Sequence, residues 1–134
     1  TWTPAVEGHT TAGAYTYTEQ QGTYTKIGNQ VTAWFNITNI TTGTAGVGTV
    51  EVTGLPFNVA WNISGFNGEA TGSLTVSSWN NIAGDHMYTL LPDGTNYFRI
   101  YRNTGAVNSA DAITIDDKSS DGADIRGVIT YTVA

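Results

Sequence analysis

The strongest constraint on the fold is a regular alternation of side chains within residues 15–37. Between residues 30 and 37, apolar and polar residues alternate with the period of a pleated strand. The apolar face holds Val31, Ala33, Phe35 and Ile37, and the polar face holds Thr32, Trp34, Asn36 and Thr38. Gly28 and Asn29 precede this strand and accept the positive φ of a tight turn. The pattern therefore predicts a hairpin of two strands, at residues 23–27 and 30–37.

Short segments of the same kind recur along the rest of the chain. Residues 15–18 alternate aromatic and hydroxyl side chains and predict a strand, whereas the polar, glycine-ended residues 19–22 predict a turn. Further strands are predicted at residues 49–53, 58–63, 73–77, 86–91, 96–102, 112–115 and 125–133, and a flexible loop at 41–48. No long helical periodicity is present. Strands spaced by about 8 to 12 residues are typical of sandwiches, so we expect an all-β, antiparallel, jelly-roll-like β-sandwich.

Composition narrows the class of protein further. The 134 residues suffice for a single domain, which we expect at residues 15–134, with residues 1–14 as a lead-in from an upstream shaft or domain. The sequence contains no cysteine, so disulfides and thiolate chemistry are excluded. A net charge of −6 disfavours nucleic acid and anionic membrane surfaces as partners. No segment has the length and apolarity of a membrane span, so membrane insertion is not expected.

Four segments carry a resemblance to a known family. They are Trp2-Thr3-Pro4, Tyr15-Thr16-Tyr17-Thr18, Gly22-Thr23-Tyr24-Thr25-Lys26-Ile27-Gly28-Asn29-Gln30-Val31 and Gly54-Leu55-Pro56-Phe57. Together they resemble the C-terminal β-domain of tailed-bacteriophage tail fibres and tailspikes, over roughly the first half of the chain. The resemblance implies a receptor-binding protein of the virion, a homotrimer at the extracellular tip of the fibre. Host attachment through a bacterial surface glycan, trimerisation of the fibre, or both would be its function.

The sequence shows no catalytic centre. Its two histidines, His9 and His86, lie outside any hydrolase or zinc-protease motif. A glycosidase needs two carboxylates facing one cleft, whereas the glutamates are spread over different predicted turns and strands. We therefore expect a protein that is not an enzyme.

Two groups of residues have the composition of a carbohydrate-binding site. Trp79 follows a predicted strand and precedes Asn80 and Asn81, and a loop aromatic beside amides suits the stacking and hydrogen bonding of sugar rings. Tyr97, Arg99 and Tyr101 form a polar and aromatic stripe on the face opposite Phe98 and Ile100. The alternative is that these aromatic side chains only fill the faces of the sheets. Among the remaining tryptophans, Trp2 and Trp61 are interpreted as packing residues, whereas Trp34 faces away from its apolar neighbours and is predicted to be exposed, at a subunit contact, or buried on a second face.

An acidic loop at residues 116–124 has part of a calcium-loop pattern. Asp117, Ser119, Asp121 and Gly122 match the spacing of the first half of such a loop, but Val128 stands where the closing glutamate belongs. A solvated turn is therefore the favoured interpretation, and no cofactor is expected. If a structural calcium ion binds, its ligands are Asp117, Asp121 and Asp124.

Two other functions share the predicted fold. A monomeric carbohydrate-binding module of a secreted glycoside hydrolase would have the same sandwich and exposed aromatic residues. A purely structural trimerisation cap would have the sandwich without any receptor site. A coplanar row of aromatic side chains on one face of a stable monomer would favour the first.

Overall fold

The computed structural model describes residues 1–61, 72–79, 86–103, 110–115 and 121–134. In these ranges the chain forms ten strands. They are β1 (Ala5–Gly8), β2 (Ala14–Thr16), β3 (Glu19–Ile27), β4 (Gln30–Thr44), β5 (Val50–Thr53), β6 (Gly72–Ser77), β7 (His86–Leu90), β8 (Phe98–Asn103), β9 (Ala110–Ala112) and β10 (Ala123–Thr132).

The strands form two five-stranded antiparallel sheets that pack against each other. Sheet I has the order β1-β5-β8-β7, and β9 pairs with the part of β8 that β5 leaves open. Sheet II has the order β2-β4-β10-β6, and β3 pairs with the first part of β4. This arrangement confirms the predicted all-β sandwich.

The core lies between the inner faces of the two sheets. Val31, Ala33, Phe35 and Ile37 of β4 are all buried, as the alternation predicts. The ring of Phe35 meets that of Phe98 on sheet I with their centroids 5.3 Å apart. Ile125, Ile129, Tyr131 and Val133 in and after β10 are also buried. Removal of this apolar surface from water is the main force that holds the sheets together.

Three predicted segments are wrong because long-range pairing overrides the local pattern, and a fourth is displaced: the strand predicted at residues 112–115 lies at Ala110–Ala112, where it pairs with β8. Residues 19–22 are the start of β3 and not a turn, since β3 pairs with β4 without interruption from Glu19 to Ile27. Residues 41–44 extend β4 and are not a loop, because β2 pairs with them. Residues 58–61 are not in a strand: the N–H groups of Val59 and Ala60 donate to the carbonyls of Thr95 and Thr132 instead of a strand ladder. Residues 62 and 63 of that predicted strand lie outside the described residues.

The predicted lead-in is built into the sandwich. Ala5–Gly8 is an edge strand of sheet I, and Trp2 is buried in the core. The backbone N–H of Trp2 donates to the carbonyl of Gly22, which ties the start of the chain to β3. Residues 1–14 thus belong to the domain, and a connection to an upstream shaft stays a prediction.

The segments that carry the family resemblance meet in the folded chain. The indole of Trp2 lies directly over Gly22, where a side chain would overlap it. Gly54, with a φ of +85°, passes against the carbonyl of Thr3. The ring of Phe57 packs edge-on against Tyr24 at a centroid distance of 5.4 Å. These segments therefore contribute packing between the first strands and the turn at residues 54–57.

Burial of Tyr131 makes the stability of the fold sensitive to alkaline pH. Burial raises the pKa of the Tyr131 hydroxyl from 10.0 to about 12. Between these two values the unfolded chain loses the proton that the folded chain keeps, so the free energy of unfolding falls as pH rises, by about 2–3 kcal/mol in total. Below pH 10 the contribution of Tyr131 to the free energy of unfolding does not change with pH.

We expect Tyr131→Phe to flatten part of this alkaline decline, because it keeps the ring and removes the ionisable group. Urea unfolding of both proteins at pH 8, 10 and 11.5 measures the difference. A smaller slope should remain, since burial also raises the pKa of Tyr17. Identical slopes in the two proteins would contradict the assignment to Tyr131.

Candidate functional site: the outer face of sheet I

The predicted stripe on β8 lies on the outer face of sheet I. Tyr97, Arg99 and Tyr101 are half-buried and alternate with the fully buried Phe98 and Ile100. Tyr88 of β7 stands opposite Tyr101, and the two rings stack with centroids 5.6 Å apart and an interplanar angle of 20°. We call Tyr88, Tyr97, Arg99 and Tyr101 the tyrosine face.

Arg99 is held in place by a buried carboxylate. Glu51 of β5 is the Cα partner of Arg99, and its side chain lies among the outward-facing residues although it is only 7% exposed. Arg99 Nε donates to Glu51 Oε1 at 2.9 Å, and Arg99 Nη2 donates to the Tyr97 hydroxyl at 3.2 Å. The guanidinium also lies 5.5 Å from the centre of the Tyr97 ring, within the range of a cation–π contact. These contacts fix both the position and the plane of the guanidinium.

His9 completes the cluster from the loop that follows β1. Its Nδ1 lies 2.7 Å from Glu51 Oε1 and 2.9 Å from Arg99 Nη2, and half of its side chain is exposed. Burial lowers the pKa of Arg99, but the hydrogen bond to Glu51 and the charge of Glu51, together with the contacts to Tyr97 and Tyr101, outweigh this, and the net pKa is raised. Arg99 is therefore a permanently charged donor at the centre of the tyrosine face.

Sequence reasoning missed three members of this site. In the sequence Glu51 and His9 belong to separate segments, and the strand pattern does not distinguish Tyr88. Alternation between Val50 and Val52 does place Glu51 on an outer face, but only the strand register places it opposite Arg99 on one side and Glu7 on the other. Glu7 and Glu51 lie on different strands as expected, and the register between β1 and β5 places them directly opposite each other.

Trp79 has a different position from the stripe on β8. It follows β6 as predicted, but its ring is buried in the core and only 7% of the residue is exposed. It lies at one end of a groove of about 690 Å³ between β6 and β7, which His86 and Met87 also line. Asn80 and Asn81 lie outside the described residues. A sugar-stacking role for this group stays a prediction, and the buried ring favours the packing alternative for Trp79.

The described aspartates of the acidic loop bind backbone and side-chain donors of their own chain. Asp121 Oδ1 accepts from the N–H of Thr42 at 3.0 Å, and Asp124 Oδ1 accepts from the N–H of Asn39 at 2.9 Å. Asp124 Oδ2 pairs with Arg126 Nη2 at 2.9 Å. Asp117 lies outside the described residues. Within the described ranges no three histidine, aspartate or glutamate side chains gather in a way that could hold a metal ion, and the calcium site stays a prediction.

The fold and this site define a β-sandwich with a preorganised polar and aromatic outer face. The chain matches no protein-family model, no curated protein and no solved structure. In the ranges that the structure describes, no helix has the length and apolarity to cross a membrane.

Proposed function

We propose that this chain is the distal C-terminal domain of a bacteriophage tail fibre or tailspike and that it binds a polysaccharide on the host surface. The observation that carries the binding function is the tyrosine face, where Tyr97 and Tyr101 contact the fixed guanidinium of Arg99 and Tyr88 stacks on Tyr101. The placement on a phage fibre is supported by the resemblance of the four segments. In this proposal the protein acts outside the host cell, on the virion.

The chemistry of the tyrosine face suits sugars. Aromatic rings present a π face to the C–H groups of a sugar ring, and phenolic hydroxyls and guanidinium N–H groups bind its hydroxyls. Because Glu51, His9 and Tyr97 already fix Arg99, little conformational entropy is lost when a ligand binds. A binding role needs no reactive centre, which agrees with the expectation that the protein is not an enzyme.

A homotrimer connected to an upstream shaft would strengthen a weak interaction at each site. Three copies on one fibre convert the second and third binding events into intramolecular ones, so the overall affinity rises without new contacts. Repetitive surface polysaccharides present many identical epitopes and suit this arrangement.

We expect Tyr97→Ala and Tyr101→Ala each to weaken polysaccharide binding about fivefold, since one aromatic contact contributes about 1 kcal/mol. The measurement is binding of the purified chain to an array of capsular and lipopolysaccharide glycans from Gram-negative and Gram-positive bacteria. Tyr101→Phe keeps the ring and its stack on Tyr88 and should retain most of the binding.

The outcomes separate the three functions. Unchanged binding by both alanine variants, or no binding to any glycan on the array, would contradict a receptor site on the tyrosine face. Light scattering on the same preparation should give three times 14.2 kDa. A monomer that binds glycan would favour the carbohydrate-binding module, and a trimer that binds none would favour the structural cap.

A further inference from the structure

The outer face of sheet II carries an exposed tryptophan in the middle of a strand. Trp34 of β4 is 46% exposed, while Trp2 and Trp79 are 7% exposed and Trp61 is half-buried, so Trp34 is the most exposed of the four tryptophans. Its cross-strand neighbours are Thr23 and Val128. A large apolar ring held open to water on a rigid strand is costly to maintain and is available for contact with a ligand.

A shallow groove of about 250 Å³ lies beside this ring. Trp34 lines it together with Gln21, Thr23 and Asn36. Outward-facing residues two positions apart along a strand are separated by about 7 Å. The indole of Trp34 therefore stands on one side of a narrow trough, and the amides of Gln21 and Asn36 stand on the other. The trough therefore presents one apolar wall and one hydrogen-bonding wall.

The hydrogen-bonding wall is held rigid by a chain of contacts across three strands. Asn36 Nδ2 donates to Glu19 Oε2 at 2.6 Å, and Asn36 Oδ1 accepts from Arg126 Nε at 2.8 Å. Arg126 in turn pairs with Asp124 at 2.9 Å. The guanidinium of Arg126 carries five N–H groups, and these two contacts use two of them. Because the Arg126 side chain is 55% exposed, the other N–H groups can bind a ligand.

We propose that Trp34, Gln21, Thr23, Asn36 and Arg126 form a second glycan-binding site, and that its ligand is a neutral oligosaccharide. The indole supplies the stacking surface, and the amide, hydroxyl and guanidinium groups supply directional contacts for sugar hydroxyls. This site lies on the opposite side of the sandwich from the tyrosine face and does not depend on it.

The charges on this face select a neutral ligand. Arg126 supplies the positive charge of the hydrogen-bonding wall, and the carboxylates of Glu19 and Asp124 belong to the same network of contacts. With one positive and two negative charges, and with a chain whose net charge is −6, the trough repels an acidic sugar. A second copy of the chain is also a poor occupant, because the centre of a stable protein interface is apolar, whereas Gln21, Thr23 and Asn36 line the groove beside this ring and Val128 is its cross-strand neighbour on the other side.

The test uses the purified chain and an array of neutral hexose and N-acetylhexosamine oligosaccharides, with uronic-acid oligosaccharides as the acidic comparison. We expect at least one neutral glycan to bind and to shield tryptophan fluorescence from acrylamide quenching. Trp34→Ala should weaken that binding at least tenfold, and Trp34→Phe, which keeps a ring, should lose less. Ile27→Ala removes another exposed apolar side chain, 75% exposed at the hairpin, and should leave binding unchanged.

Each of the following outcomes would overturn the proposal: no neutral glycan binds, the wild type and Trp34→Ala bind equally well, or the chain prefers the acidic glycans. A fall in oligomer mass in Trp34→Ala would overturn it too, because it would place the ring at a subunit contact. Neutral-glycan binding that is lost in Tyr97→Ala and retained in Trp34→Ala would also overturn it while supporting the tyrosine face. Loss of neutral-glycan binding in Trp34→Ala but not in Tyr97→Ala supports the second site, whether or not the tyrosine face binds a glycan.

Discussion

Arg99→Ala is expected to lower the free energy of unfolding by about 3 kcal/mol. The substitution leaves Glu51 as a buried carboxylate with its main cation removed, and an uncompensated buried charge is strongly destabilising. The register also keeps Glu7 directly opposite Glu51, so a like charge stands nearby once the guanidinium has gone. Urea unfolding at pH 7 measures the loss.

A double variant distinguishes the effect of the Glu51 charge from the effect of Arg99 packing in this cluster. In the double variant Glu51→Gln/Arg99→Ala no buried charge remains unpaired, so we expect most of the lost stability to return. Arg126→Ala is the matched control: it breaks a more exposed pair with Asp124, whose loss should amount to less than about 1 kcal/mol. A double variant as unstable as Arg99→Ala would show that the contact of Arg99 with Tyr97, and not the charge of Glu51, dominates.

Gly22→Ala is expected to destabilise the sandwich by about 2 kcal/mol, because a methyl group at this position overlaps the indole of Trp2. The added Cβ would lie within 2.6 Å of Trp2 Cδ1. The ring cannot move away without losing its hydrogen bonds to the carbonyls of Thr23 and Trp34 and its edge contact with Phe35. Thermal and urea unfolding both report the change.

A double-mutant cycle tests whether the effect acts through Trp2. Trp2→Ala by itself should be destabilising, since it empties a core site that is 7% exposed. In that background Gly22→Ala should cost little, because the overlapping ring is gone. Gly43→Ala, another glycine within a strand whose nearest contact would be 3.3 Å away, serves as the control and should have a small effect in both backgrounds. Additive losses from Trp2 and Gly22 would contradict the overlap.

Local periodicity determined which way side chains point within a strand. The alternation of residues 30–37 assigned Val31 and Phe35 to the core and Trp34 to the opposite face, and the structure confirms the assignment. The same rule placed Tyr97 and Arg99 on one side of β8, away from Phe98. These predictions succeed because a pleated strand has a fixed period of two, which depends on the backbone alone.

Tertiary structure decided which strands are neighbours, and with that the composition of both faces. Glu51 and Arg99 are 48 residues apart, and no local pattern relates them before the strand register is known. The ring of Trp79 resembles a loop aromatic in the sequence and is buried because the sheets close over it. Residues 19–22 read as a turn because they are polar, yet their pairing with β4 holds them extended.

The fold class, the tight turn at Gly28 and Asn29, and the inward or outward direction of most strand residues follow from the local pattern of residues. The register between distant strands was decided only in the folded chain, because it depends on the sum of many weak cross-strand and core contacts. The cluster around Arg99 and the trough beside Trp34 both arise from that register. The sequence therefore shows which residues point outward, but it does not show which of them lie together on a face.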